Sequence, residues 1–296
     1  MDAHQKAIIT GARVLGCFVL WCVVLGCSSA WAQTTPPKRI ISLVPAVTEM
    51  LYAIGAGSQV VGVSSFDHFP AQVESLPRVG GLLDPDFERI VRLAPDLVIV
   101  YGTQTDLTSK LDRARIPMFS YVHAGLADVT STIRQLGDRV GHASEARAEA
   151  TRIEQGLDAI RKSVAGQPRY RTLLIFGREA GSLRGVYASA GVGFLHDLLV
   201  VAGGDDIFGD VKRQSIQISS EQILARAPDA VVELHQDLGA DKLGAERQVW
   251  NRFPSVPAVK ANRIYLLTSE LLTIPGPRVV EAARMIADAL HPRARK

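Results

Sequence analysis

The sequence predicts an α/β protein of two related lobes with mainly parallel sheets. An internal repeat, a strand–helix alternation and one long amphipathic helix near the middle of the chain carry that prediction. The repeat is in register. Glu88-Arg89-Ile90-Val91-Arg92-Leu93-Ala94-Pro95-Asp96-Leu97-Val98 and Glu221-Gln222-Ile223-Leu224-Ala225-Arg226-Ala227-Pro228-Asp229-Ala230-Val231 both read E-x-I-x-x-x-A-P-D-x-V. Each copy reads as a short helix, a Pro-Asp turn and an apolar, β-branched strand. Each lobe thus carries a glutamate at the start of an equivalent helix, an arrangement that suggests docking onto a partner.

The first residues read as an address. Lys6 and Arg13 precede an apolar run from Val14 to Leu25, the length of a signal h-region and short for a membrane span. Ala30-Trp31-Ala32 is a small-x-small exit with cleavage before Gln33, the favoured reading. Val24-Leu25-Gly26-Cys27 is a second, lipobox-like exit that would leave a lipid anchor on Cys27. All 3 cysteines, Cys17, Cys22 and Cys27, lie in this leader. Its removal excludes disulfides, thiolate metal sites and cysteine nucleophiles from the folded part. The net charge is +3, without a basic face or Lys/Arg run, so nucleic acid is not an expected partner.

The elements then follow in order. Strands are expected at Arg39 to Val44, Gln59 to Val63, Leu97 to Tyr101 and Pro117 to Val122. Helices are expected at Ala46 to Ile54, Phe87 to Leu93, Asp106 to Arg113 and Leu126 to Val140. Ser144 is placed to cap a helix running to about Ala165, where Gly166-Gln167-Pro168 stops it. Its apolar residues Ala146, Ala150, Ile153, Leu157, Ile160 and Val164 recur in steps of four and three, one continuous stripe. At 1.5 Å per residue such a helix spans about 30 Å, enough to cross both lobes. The second half predicts strands at Thr172 to Phe176, Ala230 to Leu234 and Ile264 to Leu267. Its helices fall near Phe194 to Ala202, Glu221 to Arg226, Ala245 to Arg252 and Arg278 to Leu290. Short alternation of this kind makes parallel sheets with helices on both faces. The division is 1–32 leader, 38–142 first lobe, 143–166 bridging helix and 167–296 second lobe.

Catalytic patterns are scarce: G-x-S-x-G, H-E-x-x-H and G-x-x-x-x-G-K-[ST] are all missing. Gly191-Val192-Gly193 starts a G-x-G without its third glycine, and His196-Asp197 are adjacent and read as a solvated helix start. His68, His123 and His235 each follow a predicted strand, where ligand sites of α/β folds collect. A three-histidine metal site, and with it a metal-dependent hydrolase, is the remote alternative.

Arg39-Ile40-Ile41-Ser42-Leu43-Val44-Pro45-Ala46-Val47-Thr48-Glu49 resembles the opening of the vitamin B12-, ferric-siderophore- and haem-binding periplasmic proteins. Leu76-Pro77-Arg78-Val79-Gly80-Gly81, Leu198 to Asp210, Ile218-Ser219-Ser220-Glu221 and Pro277-Arg278 resemble further stretches of that family, over about Lys38 to Leu290. Asp206 stands where the family more often has Asn. The nearest likeness is to the corrinoid-binding members. The resemblance implies two Rossmann-like lobes bridged by one long backbone helix, a ligand cleft between them, and no catalysis or cofactor. It implies a monomeric, periplasmic solute-binding component of an ABC importer, which captures a corrinoid and delivers it to a permease dimer with separate ATPase subunits. Ferric siderophore or haem is the alternative ligand. The family's docking glutamates fall on Glu88 and Glu221.

The cleft is then expected at turns after strands: Pro45 and Ala46, Phe66 to Phe69, Tyr101 to Gln104, His123, Arg178, Tyr187 and His235. A flat macrocycle needs aromatic faces and few orienting polar groups, and Phe66, Phe69 and Tyr101 fit that demand. Phe66 and Tyr101 stand where the corrinoid binders resembled here have Tyr and Trp. For haem, Tyr101 is the candidate axial ligand, and Arg178 and Arg184 are candidates to face carboxylates.

Overall fold

The computed structural model describes residues 35–235 and 238–292. The expected leader, with Cys27 and both exits, lies outside the described residues. The first lobe comprises β1 (Ile40–Ser42), α1 (Pro45–Ala53), β2 (Val60–Val63), α2 (Phe87–Arg92), β3 (Leu97–Tyr101), α3 (Thr105–Arg113), β4 (Met118–Tyr121) and α4 (Ala127–Val140). Its sheet has the order β2-β1-β3-β4 and is parallel throughout. Both faces are covered. Ile40, Leu97 and Ile99 enter the core that continues into the bridging helix, while Ile41, Val98 and Val100 pack with Ile90 and Leu111 on the opposite side. Apolar side chains on both faces are what a parallel sheet with helices on either side demands.

The bridging helix, α5, runs Ala143–Val164 and buries Ala146, Ala150, Ile153, Leu157 and Ile160. It packs against α4 of the first lobe and against α6 (Phe194–Val201) and α10 (Val279–Leu290) of the second. Glycines set the closest approaches: a Cβ at Gly137 would lie 2.2 Å from that of Ala146, and one at Gly156 would lie 2.8 Å from Val280 Cγ1. Ser144 is not the cap. His142 occupies that position without a capping bond, and the Ser144 hydroxyl donates to Glu145 instead. At the far end the helix stops at Ala165 and Gly166 takes φ 81°.

The remaining elements of the second lobe are β5 (Arg171–Gly177), β6 (Val186–Ser189), β7 (Asp205–Asp206), β8 (Ser215–Ile218), α7 (Ser220–Arg226), β9 (Ala230–His235), α8 (Ala240–Gln248), α9 (Pro257–Lys260) and β10 (Ile264–Thr268). The sheet order is β10-β9-β5-β6-β8, with β7 beside β5. β10, β9, β5 and β7 are parallel, whereas β6 and β8 are antiparallel additions. The segment read as a helix from Ala245 to Arg252 is the end of α8 plus a 3-10 turn.

The repeat is a repeat of structure as well. Ala94 and Ala227 both adopt φ 45°. Arg39 donates to the carbonyls of Leu93 and Ala94, and Arg171 donates to those of Arg226 and Ala227. Asp96 N and Asp229 N then donate to Arg39 O and Arg171 O. In each lobe an arginine at the strand entrance therefore satisfies the open carbonyls at a helix end.

Candidate ligand cleft

All four first-lobe strands are parallel, so their carboxyl ends and the loops that follow share one edge. That edge carries Pro45, Phe66, Phe69, Tyr101 and His123. Phe66 is 65% exposed and lies against the Gly80-Gly81 turn, where a Cβ on Gly81 would come within 2.5 Å of its ring. Gln104 braces the same turn by donating from Nε2 to Gly81 O and Leu82 O. The turn presents Leu83 at 93% exposure, an apolar rim that the sequence reading missed, although the paired glycines marked the turn. Ala46 departs from expectation. It is buried in the core, because Gly276 of the second lobe packs over the start of α1. Pro45, the first residue of α1, remains partly exposed.

An aromatic chain leads from this edge into the second lobe. Tyr101 meets Tyr121 edge-on at 6.1 Å, and Tyr121 stacks on His123 at 5.6 Å. His123 meets the edge of Phe194 at 6.4 Å. His123 and Phe194 line a cavity of about 240 Å³ between the lobes, with Phe176, Leu195, Gln214, Ser215 and Thr273. Phe176 in turn packs against Tyr187, which is nearly half exposed. Phe176 was legible as the last residue of a predicted strand; Gln214 and Ser215 belong to the unforeseen antiparallel extension. Burial raises the pKa of Tyr101 and Tyr121 and lowers that of His123, so this chain of rings is uncharged at neutral pH.

The lobes are tied on two sides. Glu49 of α1 accepts from Arg278 Nε at 2.9 Å, and the Arg278 guanidinium lies 4.0 Å from the Phe69 ring centroid. Phe69 therefore lines a separate cavity of about 320 Å³ with Glu49, Tyr52, Arg152 and Arg278. Burial pushes Glu49 up against the pull of Arg278. On the other side Asp197 Oδ2 accepts from Leu126 N at 2.8 Å. Asp197 is thus not merely solvated, as its place in the sequence suggested; it reaches across to the entrance of α4.

Arg178 does not face the cleft. Its side chain is 3% exposed and donates to both oxygens of Glu233, to Glu246 and to the carbonyls of Glu179 and Ser182. The reason is Glu233, a carboxylate buried in the centre of β9, which must find donors or cost several kcal/mol. Burial acts to raise the Glu233 pKa, but His235, Arg178 and Trp250 Nε1 together hold it below its ordinary value. His235 is consumed in the same network, 3.2 Å from Glu233. Arg184 is exposed. The three histidines are not brought together: His68 sits beside Glu74, His123 on Tyr121 and His235 on Glu233. Among the described residues no group of three or more His, Cys, Asp or Glu is placed to hold a metal ion.

Glu88 and Glu221 are both exposed, in the first turns of α2 and α7. Asp86 caps α2 by accepting from Arg89 N, and Ser219 with Gln222 forms a complete capping box on α7. Neither glutamate is itself the cap. No described helix is long and apolar enough to cross a membrane.

Two lobes, a bridging helix and an aromatic cleft define a recognisable architecture. The vitamin B12-binding protein of Pectobacterium carotovorum is 29% identical over 280 residues, covering 92% of this chain and 95% of that protein. An uncharacterized ABC transporter substrate-binding lipoprotein of Bacillus subtilis, YvrC, is 27% identical over 261 residues, covering 86% and 81%. Among solved structures, the periplasmic vitamin B12 binding protein BtuF of Vibrio cholerae superposes with a TM-score of 0.74 at 23% identity, covering 87% of this chain and 98% of that one. A periplasmic heme binding protein from Pseudomonas aeruginosa gives 0.72 at 24% identity, covering 88% and 94%. The family model for periplasmic binding proteins matches residues 40–271, and the chain belongs to that family.

Proposed function

We propose that the protein captures a corrinoid in the cleft between its lobes and delivers it to the permease of an ABC importer. The observation that carries this reading is the set of rings open at the cleft, Phe66, Tyr101 and His123 from the first lobe and Tyr187 from the second, which offer aromatic surface to a large flat ligand while Tyr121 and Phe194 are buried. The vitamin B12-binding relatives support the same ligand. Pro45, Phe66, Tyr101 and Tyr187 line the proposed site, and Phe69 borders it through Arg278. Ala46, Arg178 and His235 serve the fold around it. Binding, not catalysis, is the task, and the protein acts as an exported monomer. Glu88 and Glu221 meet the permease dimer, whose ATPase subunits supply the energy.

Haem or ferric siderophore is the second reading, favoured by the haem-binding structural neighbours. It is weakened by Arg178, whose donors are spent on Glu233 and Glu246 rather than offered to ligand carboxylates. Calorimetry decides. Mature protein should bind cyanocobalamin with Kd below about 1 μM, roughly −8 kcal/mol, and Tyr101→Ala should weaken that binding. Tight haemin or ferric-siderophore binding with no response to cyanocobalamin would transfer the assignment to the second reading.

A further inference from the structure

We infer that His123 is an axial ligand to the metal of the bound macrocycle, placing its imidazole nitrogen on the cobalt of a corrinoid whose axial position holds exchangeable water. This rests on the corrinoid reading above. His123 follows β4 on the ligand edge of the first lobe and lines the interlobe cavity with Phe176 and Phe194 of the second. Its ring is held on two sides, stacked on Tyr121 at an interplanar angle of 21° and meeting Phe194 at 87°. Two aromatic contacts fix a ring's orientation without using its nitrogens.

Those nitrogens are idle. Among the described residues neither has a hydrogen-bond partner, whereas His196 and His235 spend a nitrogen on Asp206 and Glu233. Neither nitrogen is sealed from solvent, so both are open to an incoming ligand atom. No carboxylate lines this cavity to claim it. The other oxygen donors of the aromatic chain are the Tyr101 and Tyr121 phenols, which burial keeps protonated, and Tyr121 is buried away from the cleft. A macrocyclic cobalt leaves its axial positions perpendicular to the ring plane, so a donor set in the cleft floor meets a ligand lying across it. Imidazole donates its lone pair to form a Co–N bond, the Co–O bond breaks, and water leaves with its own electron pair. Cobalt stays Co(III) and no proton moves. Cyanocobalamin carries cyanide on that face and cannot make the exchange.

The test titrates aquacobalamin and cyanocobalamin into the wild-type mature protein, His123→Ala and His123→Phe, following absorbance and heat. Phe keeps the ring packing and removes the nitrogen. On the wild type the aquacobalamin bands should move to longer wavelength, as nitrogen replaces water. Both variants should lose that shift, and their loss of affinity should be at least tenfold greater for aquacobalamin than for cyanocobalamin. Corrinoid binding with an unshifted aquacobalamin spectrum, or variants that keep the shift, would overturn the inference and leave the corrinoid reading standing. No binding of either corrinoid would overturn both.

Discussion

Ala94 and Ala227 end their helices in the left-handed region, at φ 45°, where a Cβ crowds the following carbonyl. Glycine has no such conflict. Ala227→Gly, although it frees the unfolded chain, should raise unfolding stability by roughly 0.5–1 kcal/mol, because relief of left-handed strain of about 1–2 kcal/mol outweighs the glycine entropy cost. Urea denaturation measures it, and a destabilised variant would refute the strain argument. Asp67 offers a second single-residue test. It is fully buried, accepts from Ser64 N at 2.9 Å, and has its pKa raised by burial against the pull of Ser64 and Arg78. The native state therefore favours the protonated acid. That contribution is present below the unfolded pKa and is lost as pH rises through the native pKa. Asp67→Asn, which mimics the protonated form, should gain on the wild type as pH rises from 4 towards 8. Parallel pH–stability curves would show that Asp67 ionises as easily folded as unfolded.

At the scale of elements, the bridging helix depends on small residues. Alanine is the better helix former by about 1 kcal/mol, but a Cβ at Gly137 meets Ala146 Cβ at 2.2 Å and His142 O at 2.9 Å. Overpacking typically costs about 1–3 kcal/mol and here involves backbone that cannot rotate away. Gly137→Ala should therefore lower stability by roughly 1–2 kcal/mol net and reduce the melting temperature. An unchanged or higher melting temperature would mean that α4 and α5 separate freely. The parallel strands other than the two-residue β7, and α5, were legible because burial wrote apolar runs and a four-three stripe. β6 and β8 were not. Val186-Tyr187-Ala188-Ser189 and Ser215-Ile216-Gln217-Ile218 are short and partly polar, and their pairing is decided by tertiary contact. The same limit applies within the cleft. Aromatic candidates such as Tyr101 could be found from strand ends, but the inward turn of Arg178 was set by Glu233, which is distant in sequence and carries no local signal of its burial.

Across the whole molecule, the two lobes repeat one helix–turn–strand unit, and each copy opens on an exposed glutamate. The Ser219 hydroxyl holds the Glu221 carboxyl below its usual pKa, so that tip stays ionised at neutral pH. Asp86 and Ser219 already cap the two helices, so Glu88 and Glu221 are not needed as caps. A side chain that is exposed, not itself a cap and repeated on both lobes is spare for a partner. If the partner is the permease, each carboxylate meets a cation there, and removing one leaves that cation unpaired. Glu88→Ala combined with Glu221→Ala should therefore abolish transport by the assembled importer. Corrinoid affinity of the isolated double mutant should stay within about twofold, because neither helix start lies on the aromatic chain, and its melting temperature should stay close to the wild type, because surface changes away from caps and cores are usually within about 0.5 kcal/mol. Uptake into vesicles holding the permease and ATPase, measured beside calorimetry on the same variant, separates docking from stability. Normal uptake by the double mutant would end the docking role, and a lower melting temperature with intact uptake would return both glutamates to the helices that carry them.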